Sequence, residues 1–201
     1  MTGRADWLKP HGEPWRRVAE RPVYDNRWMA VREYDAVAPT GAAALYGLVH
    51  FKNYGIAILP LHDDGTVTLV GQNRFALGYS WELPEGGGPL GDDPLDSARR
   101  ELREEAGLEA ADWRLILKMQ LSNSLTDERA FGYLAMGLTP APVDPDDTED
   151  IAIARVPFPE ALRAATEGEI EDALTVAMLL RAYHMASKGQ LPGSLSQLVL
   201  G

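Results

Sequence analysis

The chain has 201 residues, 45% hydrophobic and 24% charged, which suits a globular domain with room for an extension. Its net charge of −11 disfavours a nucleic-acid backbone or an anionic membrane surface as partner. It leaves small phosphorylated substrates open, because a bound divalent cation reverses the local field. No cysteine is present, so disulfides and thiolate metal sites are excluded. The opening MTGRADWLKPHGEPW has no apolar run of signal-peptide length, and no stretch is long enough to span a bilayer. The expected location is cytoplasmic.

In chain order, residues 1–14 read as a flexible tail and 15–52 as a β-rich extension suited to dimerisation. Strands are expected at 16–25, 28–37 and 44–51, broken by turn signals such as Tyr24-Asp25-Asn26 and Pro39-Thr40-Gly41. The main domain, 53–190, begins with GIAILPL (55–61) and TVTLVGQ (66–72), joined through the hairpin signal Asp64-Gly65. A glycine loop, Glu85-Gly86-Gly87-Gly88, precedes a helix expected at 93–106. Asp92 or Asp93 suits its N-cap, Pro94 its first turn and Gly107 the position past its end. In WRLILKMQL, Trp113, Leu115, Leu117, Met119 and Leu121 alternate with polar residues, which predicts a strand. Further strands are expected at 130–138 and 151–156, with helices at 158–167 and 171–187. The acidic run Asp144 to Asp150 reads as a solvated loop, and 191–201 as a second tail. The overall class is α/β (α+β).

One segment carries chemistry. On a helix, Glu101 shares a face with Glu104 and Glu105, because residues three and four apart are neighbours. The plain reading is a solvated acidic stripe knit by Arg99, Arg100 and Arg103, with Arg100 reaching back to Asp92. Clustered carboxylates are also the hard oxygen ligands that Mg2+ takes, and the glycines bring bare backbone close to a metal or a phosphate. Such a loop directly before an acidic helix favours the second reading.

The residues Gly86, five others, Asp92, seven others, then Arg-Glu-Leu-Arg-Glu-Glu-Ala-Gly-Leu resemble the signature box of the Nudix hydrolases. Every fixed position of that pattern matches except Asp92, where the family usually has Glu. The stretches Gln72-Asn73-Arg74, Trp81 to Gly86 and Gly168 to Ala173 are similar to those of the ADP-ribose pyrophosphatase branch, although Glu85 stands where that branch has Ala. The resemblance implies a Nudix α/β/α sandwich and metal ligation by Glu101, Glu104, Glu105 and the backbone carbonyl of Glu85. It implies Asp92, Arg100 and Gly107 as structural support of the box. The implied cofactor is Mg2+, with Mn2+ as substitute, and the implied assembly is a homodimer whose N-terminal strands exchange.

The implied activity is hydrolysis of a nucleoside diphosphate derivative, ADP-ribose or a related nucleotide sugar, to a nucleoside monophosphate and a sugar phosphate. Rival substrates are nucleoside triphosphates and dinucleoside polyphosphates, and a non-catalytic nucleotide sensor is the rival class. A carboxylate must take a proton from the attacking water. Glu101 and Glu128 are the candidates, with Glu105 in the catalytic set, while Asp127-Glu128 also reads as a turn-capping pair. Arg74 suits a substrate phosphate or a brace within the sheet. Glu82 suits a ribose hydroxyl, a second metal or a salt bridge to Arg74. Gly86 and Gly87 are the close-approach positions for the diphosphate. Trp28 suits either a stacked base or a core or dimer-interface position. The four histidines, 11, 50, 62 and 184, form no ligand spacing.

Overall fold

A computed structural model describes residue 5, residues 7–143 and residues 150–201. The acidic run that starts at Asp144 lies outside the described residues except for Asp150, which is exposed, and residues 1–4 and 6 of the first tail also lie outside. The chain forms two compact units, one of Met1–Lys52 with Ser122–Asp127 and one of Asn53–Leu121 with Glu128–Gly201.

The first unit is an antiparallel meander of β1 (Arg16–Asp25), β2 (Met29–Val37) and β3 (Ala43–Phe51). Asn26 turns the chain from β1 to β2, its side-chain oxygen accepting from the backbone N–H of Trp28 and of Met29, both at 2.8 Å. Pro22 cannot donate to a ladder, and it sits in the edge strand beside a register shift between Pro22 and Tyr24. Thr126 of the segment 122–127 bridges to Val49 of β3.

The second unit carries β4 (Asn53–Pro60), β5 (Thr66–Arg74), β6 (Gly78–Glu82), β7 (Glu85–Pro89), α1 (Pro94–Ala106), β8 (Leu108–Met119), β9 (Ala130–Pro140), β10 (Ala152–Pro157), α2 (Phe158–Thr166), α3 (Ala173–Ser187) and α4 (Gly193–Leu200). One sheet runs β7-β4-β9-β8 and a second runs β10-β5-β6. Strand β4 pairs in parallel with β9 and antiparallel with β7, so the larger sheet is mixed. Alternation along β4 builds the sandwich. Ile56 and Ile58 pack with Ala98, Leu102 and Ala106 of α1, whereas Leu59 joins Phe158, Met178 and Leu179 on the α2 and α3 side. No helix among the described residues is long and apolar enough to cross a membrane.

The box helix starts and stops where its capping residues direct. Asp93 rather than Asp92 is the N-cap, its carboxylate accepting from the Leu95 N–H at 3.0 Å. Gly107 ends the helix in the left-handed region at φ 61°. A Cβ there would be strained and would lie 2.6 Å from Val143 Cγ2. Gly107→Ala is therefore expected to cost about 1–2 kcal/mol and to lower the melting temperature by roughly 2–8 °C, read by thermal denaturation.

Two elements differ from the sequence reading. The glycine run is not a loop: Glu85–Pro89 is an edge strand of the mixed sheet, paired antiparallel with β4. Residues 191–201 are not a free tail, because Gly193–Leu200 is a helix and Leu191, Leu195 and Val199 are buried in the core. Gly193 and Ser194 give that short segment poor intrinsic helicity, so burial of its apolar side at intervals of one turn decides its state.

Candidate active site

Helix α1 buries Ala98, Leu102 and Ala106, and that rotation sets where its carboxylates go. Glu101 and Glu105 turn inward, 7% and 2% exposed, while Glu104 is half-buried. The strand β7 lies against them. A Cβ on Gly86 would fall on the Glu101 carboxylate, and one on Gly88 would lie 2.8 Å from Ser97 Oγ. The glycines thus admit a helix carboxylate against bare backbone, which is the physical reason for the run.

Arg100 links two of the three box glutamates. Arg100 donates to Glu101 at 2.6 Å, to Glu104 at 2.7 Å and to the Gly87 carbonyl at 3.0 Å. Burial works against the Arg100 charge, but Glu101 and Glu104 outweigh it and hold its pKa above the ordinary value. Asp92, expected as the brace of Arg100, has no side-chain partner among the described residues and is exposed. The shorter carboxylate at that position leaves Arg100 bound to the helix glutamates and to β7. Glu105 Oε2 accepts from the Glu85 N–H at 2.9 Å.

A second acidic group adjoins the first. Among the described residues, the three carboxylates with one oxygen each within 4.8 Å of the others are Glu82, Glu85 and Asp172, not Glu101, Glu104 and Glu105. Glu82 is 2% exposed and accepts from Gln72 Nε2 at 3.0 Å. Arg74 forms ion pairs with Glu82 and, at 3.0 Å, with Glu85. Burial works against the Arg74 charge, but Glu82, Glu85 and Glu105 together hold its pKa above the ordinary value. Burial, reinforced by Asp172, Glu82 and Glu105 and opposed by Arg74, pushes the Glu85 carboxyl well above its ordinary value. Of the roles left open for Glu82, the salt bridge to Arg74 is present, and Arg74 joins β5 to the carboxylates of Glu82 and Glu85.

Sequence reasoning missed Asp172, Thr175 and the Glu85 side chain as neighbours. Asp172 caps α3, accepting from the Thr175 N–H at 2.7 Å, and the Thr175 hydroxyl accepts from the Leu83 N–H at 2.8 Å. A helix cap was legible in Asp172-Ala173-Leu174-Thr175; its proximity to Glu85 was not.

Glu128 is half-buried, and burial raises its pKa above the ordinary carboxylate value. A Cβ on Gly55, in β4, would lie 3.8 Å from Glu128 Oε1. Its neighbour Asp127 belongs to the other unit, where it pairs with His50 Nδ1 at 2.6 Å, and His50 Nε2 meets the Tyr34 hydroxyl at 2.7 Å. The pair read as one turn cap is therefore divided between two environments. Trp28 is not a core residue: it is 53% exposed, with the Arg27 guanidinium 4.0 Å above its ring.

These side chains fit a divalent cation: the donors are hard carboxylate oxygens, and Gly86 admits the Glu101 carboxylate against bare backbone where a Cβ would collide with it. The NUDIX domain family model matches residues 52–180. The ADP-ribose pyrophosphatase of Mycobacterium tuberculosis (strain ATCC 25618 / H37Rv) is 30% identical over 177 residues, covering 86% of this chain and 84% of that protein. The CMP-5'-(N-acetyl-N-hydroxy-3-aminopropyl)phosphonate hydrolase of Streptomyces rubellomurinus (strain ATCC 31215) is 28% identical over 181 residues, covering 89% and 87%. A crystal structure of an ADP compounds hydrolase superposes with a TM-score of 0.79 at 19% identity, covering 91% of this chain and 100% of that one, which shows a shared fold. A domain match spanning the sandwich, the glutamates Glu101, Glu104 and Glu105 on the box helix and similarity to a relative along most of both chains lead to one conclusion: the protein belongs to the NUDIX domain family and is a Nudix hydrolase.

Proposed function

We propose that the chain hydrolyses the pyrophosphate bond of ADP-ribose or a related nucleotide sugar, with Mg2+ or Mn2+, to a nucleoside monophosphate and a sugar phosphate. The observation that carries this reading is the burial of Glu101 and Glu105 against a strand stripped of side chains. The similarity to an ADP-ribose pyrophosphatase over 86% of the chain supports the choice of substrate.

Glu101, Glu104, Glu105 and the Glu85 carbonyl would hold the cation, which when bound offsets charge on the diphosphate and acidifies a water. Arg100 holds Glu101 and Glu104 in place, and its bond to the Gly87 carbonyl ties the helix to β7. Gly86 and Gly87 let the diphosphate approach the backbone. Glu128, or Glu101 in its stead, takes the proton from water; the raised pKa of Glu128 suits a base working near neutrality. Trp28, exposed beneath Arg27, is left as a base-stacking or interface residue. We further place the protein in the cytoplasm as a homodimer built through the N-terminal strands, a reading supported by the exposure of every residue of β1. Sedimentation at twice the chain mass is the expected result.

The deciding experiment is a substrate panel with Mg2+. ADP-ribose carries no terminal phosphate, so phosphate released after added phosphatase reports its cleavage directly. Turnover of ADP-ribose, with AMP and ribose phosphate as products, is expected. Cleavage of a CMP-linked phosphonate, a triphosphate or a dinucleoside polyphosphate without ADP-ribose turnover would replace the substrate. No turnover of any member would restore the sensor reading.

A further inference from the structure

We propose that Glu82, Glu85 and Asp172 form a second divalent-cation site, built from different side chains than the helix carboxylates Glu101, Glu104 and Glu105. The three come from the end of β6, the start of β7 and the N-cap of α3, and one oxygen of each lies within 4.8 Å of the others. Among the described residues, their hydrogen bonds use a single oxygen per carboxylate. Glu82 Oε1 takes Gln72 and Arg74, Glu85 Oε1 takes Arg74, and Asp172 Oδ2 takes the Thr175 N–H. One oxygen of each side chain is left for a ligand.

A second observation points the same way. Glu85 Oε2 is closed off from solvent, and it is the buried side-chain oxygen that accepts no hydrogen bond among the described residues. Burying a polar atom without a partner forfeits its hydration with no bond in return, so a retained orphan calls for a ligand. Arg74 pairs with Glu82 and Glu85. Hard carboxylate donors without nitrogen or sulfur select Mg2+ or Mn2+.

Glu85 gives this site its individuality, because it stands where the resembled branch carries Ala. The same residue meets the box through its backbone N–H, bonded to Glu105 at 2.9 Å, so one residue would adjoin both ions with different atoms. The inference does not depend on which nucleotide is hydrolysed.

Metal-free protein titrated with Mn2+, with free Mn2+ followed by electron paramagnetic resonance, tests it without turnover. Glu85→Gln retains an acceptor for Arg74, and Asp172→Asn retains a good helix cap, so both variants should stay folded by circular dichroism. Wild type is expected to hold one more tightly bound Mn2+ per chain than either variant. Glu104→Gln is expected to keep that ion. Equal Mn2+ binding by wild type and either variant would overturn the site. Loss of the same ion in Glu104→Gln would assign it to the box and overturn it as well.

Discussion

Glu105→Gln is expected to lower Mg2+-dependent turnover by about 100-fold or more, as befits losing several kcal/mol of charge stabilisation, while the protein stays folded. Two properties of the site separate those effects. The Glu105 carboxylate accepts from the Glu85 N–H at 2.9 Å, and a glutamine oxygen can still accept that bond. The negative charge cannot be replaced, and at 2% exposure water does not screen its loss. Repulsion with Glu85 is relieved while attraction to Arg74 is lost, so the metal-free variant should melt close to wild type. Initial rates across a Mg2+ series, with melting curves alongside, check this. A near wild-type rate at saturating Mg2+ would remove Glu105 from the cation's ligands.

The second large effect concerns the base. Glu128→Gln is expected to slow the single-turnover step by about 10²–10⁴-fold with little change in Mg2+ affinity. Burial raises the Glu128 pKa, which means its protonated form persists to higher pH than in an exposed glutamate. A base works only when ionised, so wild-type rate should fall as pH drops through that raised pKa, and the limb should lie above the ordinary value of 4.5. The variant should lose this limb. If its rate and pH profile match wild type, the base is elsewhere, and Glu101→Gln becomes the variant that should remove the limb.

Much of the box was legible because its determinants are local. The capping aspartates, Pro94, Gly107 and the spacing of Leu95, Ala98 and Leu102 act within one or two turns, and the helix lies within a residue of its expected bounds. The strands of the first unit were equally readable, since turn residues and β-branched or aromatic runs mark them directly. Where the reading departed, a distant partner had the casting role. Glycine has poor strand propensity, yet Gly86, Gly87 and Gly88 pair with β4 because helix α1 needs a surface without side chains beneath Glu101 and Ser97. Arg100 had three acceptors within reach in space, and Asp92 was not among them.

The box, its helix and the family were readable along the chain, because capping residues and spacing act within one or two turns. Folding in three dimensions made the glycine run a strand, closed the core with α4, turned Glu101 and Glu105 inward, parted Asp127 from Glu128 and brought Asp172 to Glu82 and Glu85. Those facts depend on which surfaces pack together, and packing joins residues whose separation along the chain carries no information about their separation in space.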